Sequence, residues 1–272
     1  MKAASHIFLL LVATMLVLLA HMMLLASSRP VERRIQVHAH GWPDHAPSVR
    51  LVLLSDFHVS RPGDSVARLT ETVARVNALH PDLVLLAGDF LSTGAIGVRA
   101  ADIDTATAPL GRLRARFGMV AVLGNHDQGA RAPLLARLEG MGITTLENEA
   151  VRRGPLAILG FGDYTTGHLD VTKALAAYRP IGGWPVLLSH TPYVIWSLPK
   201  GGGLLLAGHT HCGQISLPII GAPMTPPDLK RYDCGLVRDG SRLSIVSAGL
   251  GISILPLRLH VPPDYWVIDL KR

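Results

Sequence analysis

One long apolar block stands apart from the shorter hydrophobic patterns that follow it. The residues from Ile7 to Ala26 include no Asp, Glu, Lys or Arg, and about 20 such residues are enough to span a bilayer. A cleaved signal peptide also begins with a basic residue, here Lys2, but its apolar core is usually only about 7–15 residues long. The pattern therefore predicts an uncleaved membrane anchor over residues 1–28, with a signal sequence as the alternative.

Short, wholly apolar runs alternate with helically spaced ones after residue 48. The runs at 50–54, 83–87 and 119–123 predict buried strands. Helices are predicted over 64–79, with Asp64 as N-cap, and over 107–117 and 133–141. Fully apolar strands that alternate with helices predict a covered sheet, with α/β or α/β/β/α layering.

After Gly142 the pattern changes to short strands. We predict them at 143–146, 156–161, 186–188, 203–207, 243–247 and 266–270, with one helix over 170–178. This half is expected to form a second sheet packed on the first. Residues 29–48 contain Pro30, Pro43 and Pro47, which predicts a linker with a short edge strand around 34–38. The simplest division is thus one domain over 49–272.

Charge and cysteine content narrow the classes of partner and compartment. The formal net charge of +6 suits an anionic substrate or a lipid surface. The chain lacks the dense basic stripe with interleaved aromatics of a nucleic-acid binder, so no nucleic-acid partner is expected. Arg29, Arg33 and Arg34 follow the apolar block, which favours a cytoplasmic C-terminal part, although exported proteins also begin with a basic residue. The two cysteines, Cys212 and Cys234, allow one disulfide and do not define a redox compartment.

Metal-competent side chains follow nearly every predicted strand. They are Asp56 and His58, then Asp89, then Asn125, His126 and Asp127, then His190, and finally His209 and His211. Any one of them alone would be interpreted as a turn residue or a helix cap. Together, oxygen and imidazole donors at five strand ends predict a site on the loops at one edge of the scaffold. Members of a pair two residues apart are expected on one face if strand geometry continues through them.

The donor set is too large for one four-coordinate zinc. It suits two ions that share a carboxylate, an arrangement that stabilises both oxygens of a phosphoryl displacement. Mixed nitrogen and oxygen donors favour manganese, iron, cobalt or zinc over calcium. Cys212 falls on the opposite face from His211 and is expected to be packed rather than a ligand.

Five motifs in this order resemble the calcineurin-like metallophosphoesterase family. They are Asp56-x-His58, Gly88-Asp89, Gly124-Asn125-His126-Asp127, His190 and Gly208-His209-Thr210-His211. The tail, with Gly249-Leu250-Gly251 and residues 262–264, is similar to the membrane-associated bacterial branch of that family. The resemblance implies an α/β fold, a four-layer α/β/β/α sandwich preceded here by one transmembrane helix. It also implies two divalent metal ions, manganese, iron or zinc, with manganese as the first choice.

The resemblance assigns a role to each site residue. Asp56, His58 and His211 would hold one metal, Asn125, His190 and His209 the other, and Asp89 would bridge both. A metal-bridging hydroxide would attack phosphorus in line. His126, which is not a ligand, would stabilise the transition state or protonate the leaving oxygen, and Asp127 would orient its ring. Relatives often carry an acidic residue shortly after Gly88-Asp89, where this chain has Phe90-Leu91-Ser92-Thr93, which puts substrate contacts rather than the ligands in question.

These features predict a membrane-bound, metal-dependent phosphodiesterase or pyrophosphatase. The similar branch includes UDP-2,3-diacylglucosamine pyrophosphatases of lipid A synthesis, so the first-choice substrate is that lipid-linked phosphate, met at the bacterial inner membrane by a cytoplasmic catalytic domain. The alternatives are a phosphodiesterase or phosphatase acting on small soluble substrates, and a non-catalytic, membrane-tethered metal-binding protein. His126 argues against the last, because a structural metal site needs no extra histidine. Arg61, Lys230 and Arg231 are weaker candidates for phosphate contact, since exposed basic residues are usually only solvated.

Overall fold

The computed structural model describes residues 2–61, 65–92, 99–100, 102–223, 225, 227 and 230–272. Its α-helices are α1 (Lys2–Ala26), α2 (Ser65–Ala78), α3 (Ile103–Thr107), α4 (Arg131–Gly140) and α5 (Val171–Tyr178). Its strands are β1 (Val31–His38), β2 (Val49–Leu54), β3 (Ser60–Arg61), β4 (Leu83–Ala87), β5 (Arg99–Ala100), β6 (Met119–Val122), β7 (Ile143–Thr145), β8 (Glu149–Arg153), β9 (Leu156–Gly160), β10 (Trp184–Leu188), β11 (Gly203–Ala207), β12 (Gly235–Asp239), β13 (Arg242–Val246) and β14 (Asp264–Lys271).

Two six-stranded sheets dominate the described part of the chain. The first has the order β1-β14-β2-β4-β6-β7 and the second the order β12-β13-β11-β10-β9-β8. Because side chains alternate along a strand, residues such as Leu53 and Leu85 of the first sheet meet Leu188 and Leu206 of the second in one core. The outer face of the first sheet packs on α2 and α4, and that of the second on α5. The predicted α/β/β/α layering is confirmed.

The strands predicted after residue 48 agree with the structure to within two residues at each end, but the predicted helix 107–117 is wrong. There, α3 ends at Thr107 and a short 3-10 helix covers Ala108–Arg112, because Pro109 has no N–H to continue an α-helix. Four strands were not predicted: the two-residue strands β3 and β5 and the edge strands β8 and β12. The half-exposed, polar sequences of β8 and β12 lack the apolar run that marks a buried strand. Asp64, predicted as the N-cap of α2, lies outside the described residues.

The segment expected to be a linker is part of the first sheet. β1 pairs in parallel with β14 along its whole length, from Val31 opposite Asp264 to His38 opposite Lys271. Trp42 then enters the core between the sheets. The folded domain therefore begins at β1 and not at residue 49, and the edge strand is longer than the 34–38 predicted.

The N-terminal helix α1 is largely exposed and reaches the domain only near its end. Residues Ala4–Ala26 form a helix long and apolar enough to cross a membrane. Met22 and Ala26 are buried, and the backbone N–H of Arg258 donates to the Met22 carbonyl at 3.1 Å. The helix thus docks on the loop that precedes β14.

Candidate metal centre

The predicted site residues converge at the carboxyl ends of strands from both sheets. β2, β4 and β6 run parallel in the first sheet, and β10 and β11 run parallel in the second. Parallel strands bring their carboxyl ends to one edge. Seven side chains meet there in a buried to half-buried cluster: Asp56, His58, Asp89, Asn125, His190, His209 and His211.

The loops that carry these side chains adopt uncommon backbone conformations. Positive φ angles occur at Asp56 (50°), His58 (39°), Asp89 (54°), His209 (69°) and His211 (51°). Such angles cost non-glycine residues about 1–3 kcal/mol each and persist where surrounding structure imposes them. Tight packing imposes them here, since a Cβ added to Gly208 would lie 2.2 Å from Asp56 Oδ2. Holding these groups in one place therefore lowers the stability of the fold.

One half of the cluster is built around two imidazoles from different sheets. His58 Nε2 lies 3.1 Å from His211 Nε2 and 3.3 Å from Asp89 Oδ2. His211 Nε2 lies 3.5 Å from Asp56 Oδ1. The donor atoms of these four residues thus surround one small volume.

The other half of the cluster is built around His190. Its Nε2 atom lies 3.0 Å from Asn125 Oδ1, 3.1 Å from His209 Nδ1 and 3.4 Å from Asp89 Oδ2. His209 Nδ1 is also 3.0 Å from Asn125 Oδ1. Asp89 Oδ2 therefore takes part in both halves, as a shared ligand must.

These separations fit two divalent metal ions. Ligand atoms about 2.1 Å from one ion stand about 3.0 Å apart in octahedral and about 3.4 Å apart in tetrahedral coordination, and the observed contacts are 3.0–3.5 Å. Imidazole nitrogens facing each other at 3.1 Å, with carboxylates alongside, are a donor set for a cation. The residues present fit the two-ion site that the sequence predicts.

The electrostatics of the cluster also call for positive charge. Burial alone would lower the pKa of His190, but the carboxylates of Asp89 and Asp56 raise it to about 10. Burial would raise the pKa of Asp89, yet His190 and His58 hold it well below its usual range. Two buried carboxylates thus favour cationic neighbours, and a bound divalent ion supplies that charge directly.

Backbone groups fix the orientation of individual ligands. His190 Nδ1 donates to the Ala87 carbonyl at 2.8 Å, which leaves Nε2 free to face the cluster. The His209 N–H donates to both Asp56 oxygens at 3.0 Å, and the His126 N–H donates to Asp89 Oδ1 at 2.9 Å. The main chain therefore helps to position the carboxylates of both Asp56 and Asp89.

His126 lies beside Asp89 and His58, and the three side chains are close enough together to hold a metal ion. Its Nε2 atom is 3.9 Å from Asp89 Oδ2, and its ring meets that of His58 edge-on at 4.9 Å. The side chain is about one quarter exposed. Burial lowers its pKa below the ordinary histidine value. The ring is thus open to a molecule entering from solvent.

Asp127, which is expected to orient the His126 ring, also contacts the main chain. Its two carboxylate oxygens accept backbone N–H groups from Gly124 at 2.9 Å and Leu91 at 3.0 Å. Burial raises its pKa to about 7. Asp127 therefore braces the loops after β4 and β6 against each other, and its role toward the His126 ring stays a prediction.

Strand geometry does not continue through His209 and His211, so the condition for a shared face is not met. β11 ends at Ala207, and the positive φ angles that follow break the period of two, so each ring joins a different half of the cluster. Cys212 is buried as expected, and it forms a disulfide with Cys234. That bond ties the loop after His211 to the start of β12.

Arg258 is a site residue that sequence reasoning missed. Its fully buried guanidinium donates to the carbonyls of Ala248 and Gly251 at 2.7 Å and lies 3.5 Å from His211 Nδ1. The Gly251 N–H in turn donates to the Asp56 carbonyl at 2.6 Å. Arg258 thus holds the loop that backs the first ligands, and its signal in the sequence is one arginine within the mostly apolar stretch 252–261.

The described contacts do not bring the residues predicted to contact phosphate into the cluster. Arg231 pairs with Asp239 at 3.2 Å and lies over the Tyr232 ring, which directs it toward β12. Lys230 is exposed, and the side chain of Arg61 lies outside the described residues. An aromatic group was missed instead: Tyr193 meets His209 edge-on at 5.5 Å and stacks on Trp196.

The chain is similar in sequence to known phosphoesterases. The calcineurin-like phosphoesterase model matches residues 49–213. The chain is 29% identical to phosphodiesterase YaeI of Escherichia coli over 84% of both chains. It is 30% identical to a bovine transmembrane protein with metallophosphoesterase domain over 86% of this chain, but spans only 55% of that relative. A solved dimetal phosphatase from Danio rerio is 13% identical, with a TM-score of 0.43 over 76% of this chain and 89% of that one.

Proposed function

The chain belongs to the calcineurin-like phosphoesterase family, a family of metal-dependent phosphoric ester hydrolases, and we propose that the bond it cleaves is a phosphodiester. The observation that carries this proposal is the approach of two imidazole nitrogens to Asp89 Oδ2, His58 Nε2 from one half of the cluster at 3.3 Å and His190 Nε2 from the other at 3.4 Å. A relative named as a phosphodiesterase, similar over 84% of both chains, supports the same class of bond.

In this proposal the ligands divide as the sequence motifs predict. Asp56, His58 and His211 hold one ion, Asn125, His190 and His209 hold the other, and Asp89 is shared. The bound ions supply Lewis-acid stabilisation and an activated water nucleophile. The chain itself supplies a rigid frame, because a misplacement of about 1 Å can cost about 100-fold in rate.

His126 is the catalytic side chain that we propose to act without binding metal. It stands beside Asp89, partly exposed, with its main-chain N–H already used to position that carboxylate at 2.9 Å. From there the imidazole donates a hydrogen bond to a phosphoryl oxygen or a proton to the leaving oxygen. Asp127 keeps this loop in place through Gly124 and Leu91.

Hydrolysis of bis(p-nitrophenyl) phosphate tests the proposal. With manganese, iron or zinc added in parallel, we expect turnover by the wild type, best with manganese. His126→Ala is expected to lose about 100-fold or more in kcat while keeping its bound metal. Asn125→Ala is expected to lose metal as well as rate. Absence of turnover in the metal-loaded wild type, or full activity in both variants, contradicts the proposal.

In our proposal, the disulfide indicates on which side of the membrane the domain lies. The arginines after α1 predict a cytoplasmic domain, but disulfides are rare in the cytosol, and Cys212 is bonded to Cys234. We therefore place the domain on the oxidising face of a bacterial inner membrane. A membrane-impermeant thiol reagent, applied to intact cells after mild reduction, should label the protein; labelling only after lysis would contradict this orientation.

The identity of the substrate is the most specific part of the proposal. UDP-2,3-diacylglucosamine, the lipid-linked substrate predicted from the sequence, requires the cytoplasmic face and stays a prediction. With the domain on the oxidising face of the membrane, we expect its substrate to be a phosphodiester carried by a lipid in the leaflet on that same face. A panel of UDP-2,3-diacylglucosamine, phosphatidylglycerol, soluble phosphodiesters and phosphomonoesters, tested on the anchored protein, separates these cases. A clear preference for monoesters would remove the phosphodiesterase assignment.

A further inference from the structure

The domain contacts α1 within the part of that helix able to span a membrane. Arg258 donates its backbone N–H to Met22, four residues before the helix ends at Ala26, or about 6 Å along the axis. The span Ala4–Ala26 is about 34 Å long at 1.5 Å per residue, little more than the hydrocarbon thickness of about 30 Å. The loop around Arg258 therefore lies at the level of the membrane interface.

Exposed apolar side chains lie on the two loops next to this contact. Ile254 and Leu255 precede Arg258, and Ile219 and Ile220 lie on the loop that follows the ligand His211; all four are exposed. We call these four residues the apolar rim. Leu255 is three residues from Arg258, so the chain cannot separate them by more than about 11 Å.

The two loops of the apolar rim are held together as one surface. The Gln214 side chain donates to the carbonyls of Ser253 and Leu255 at 3.0 Å and 3.3 Å, and accepts the Ser253 N–H at 2.6 Å. The Ser216 N–H donates to the Leu259 carbonyl at 3.0 Å. Because of these bonds, both loops keep one position relative to α1.

The same loops form the entrance to the metal cluster. A cavity of about 290 Å³ has His209 and His211 among its lining residues and includes Ile215, Ile254 and Leu255. The surface that lines this cavity is mainly apolar, although the side chains of the metal cluster are polar. An entrance to a phosphate-binding site that faces bulk water has no need of such a lining.

We propose that the apolar rim docks into the surface of the leaflet that α1 leaves, so that the cavity opens onto headgroups held in that leaflet. The docking surface rests on the geometry of α1 and the two loops; its use for catalysis rests on the proposed function. A leaflet is favoured over a protein partner because the rim adjoins a helix segment that is itself the length of a bilayer. Apolar side chains in such a surface reach about 5–10 Å into the boundary between headgroups and acyl chains.

Depth-dependent quenching in vesicles tests the docking. Both native cysteines are disulfide-bonded, so a cysteine introduced by Ile220→Cys accepts a nitrobenzoxadiazole label selectively. Lys271→Cys is the matched control, since Lys271 lies at the far end of β14 from Asp264, about 23 Å along the strand. The full chain is reconstituted into phosphatidylcholine–phosphatidylglycerol vesicles with doxyl quenchers near the headgroups.

We expect a blue-shifted label at position 220, quenched several-fold more strongly than the label at 271. Equal, weak quenching at both positions would overturn the docking. So would cross-linking of two copies of the chain through position 220, with the label there shielded from lipid, because the rim would then bind a second copy and not the leaflet. Ile219→Cys replaces Ile220→Cys if the latter fails to fold. Hydrolysis of bis(p-nitrophenyl) phosphate by Ile219→Asn/Ile220→Asn in detergent, expected within about twofold of the wild type, reports the catalytic site separately. Loss of hydrolysis in the wild type would therefore overturn the proposed function while the quenching still decides the docking.

Discussion

Replacing Gly124 by alanine tests whether the loop after β6 sets the position of the shared carboxylate. A Cβ at this position would lie 2.2 Å from Asp89 Oδ1, 2.6 Å from the Asp89 nitrogen and 2.8 Å from His190 Cε1. The φ angle of Gly124 is −101°, which alanine adopts freely. The substitution therefore changes only the space beside Asp89 and His190.

The size of the effect follows from the overlap. Non-bonded carbon contacts are most favourable near 3.5 Å, so the Asp89 oxygen must retreat by about 1 Å. Displacements of about 1 Å at a reacting centre can cost about 100-fold in rate, or about 2.7 kcal/mol of transition-state stabilisation. We expect Gly124→Ala to lose about 100-fold in kcat/KM and to bind less metal.

Gly129→Ala is the matched control, because Gly129 lies in the same 3-10 helix, Asn125–Ala130, and an added Cβ meets nothing within 4 Å. Both variants and the wild type are assayed on bis(p-nitrophenyl) phosphate with excess manganese, together with metal content by mass spectrometry and thermal unfolding. We expect the control to keep wild-type rate and metal. If folded Gly124→Ala loses less than about tenfold, the packing of Gly124 does not position Asp89 and the reasoning fails.

Three further predictions concern stability. Chelation by EDTA should lower the melting temperature by about 5–10 °C, because ligands present at about 100 times their Kd contribute about 2.7 kcal/mol to a native state; scanning fluorimetry that detects no shift, and no recovery with manganese, would argue against metal in the cluster. Arg258→Met leaves buried carbonyls without a donor and should lower the free energy of unfolding in urea by about 3–5 kcal/mol, whereas Arg238→Met, at an exposed position, should lie within about 0.5 kcal/mol of the wild type. Removing the disulfide by Cys212→Ser/Cys234→Ser, which opens a loop between residues 22 apart, should cost about 2–4 kcal/mol; a reductant that leaves the wild-type midpoint unchanged would show that the bond does not stabilise the fold.

The positions of the candidate site residues in the fold were predictable because they follow a strong local pattern. Strands such as β4 are apolar at every position and stop abruptly at a polar residue, here Asp89, so both the strand and its functional end are visible within a few residues. The layer order follows from the same apolar runs, since strands buried on both faces need cover on both faces.

The parts that sequence could not supply depend on contacts between distant residues. β1 pairs with β14 across more than 200 residues, and its alternating polar sequence gives no sign of a partner. Arg258 meets His211 from 47 positions away, and its role is fixed by carbonyl groups, which every residue carries. The split of His209 and His211 between the halves came only from the family resemblance, because the φ angles that separate the two rings follow no side-chain pattern.

The direct pairing of β1 with β14 has a kinetic consequence. Only residues 27–30 separate the end of α1 from β1, and β1 is then fixed along eight residues of the sheet. An enzyme on a flexible tether sweeps a hemisphere of solution, whereas a domain joined this closely to its anchor drifts with the bilayer. If its substrates are held in the membrane, as proposed, its encounters with them are a two-dimensional diffusion problem, and its rate of capture depends on their mole fraction in the leaflet instead of their bulk concentration.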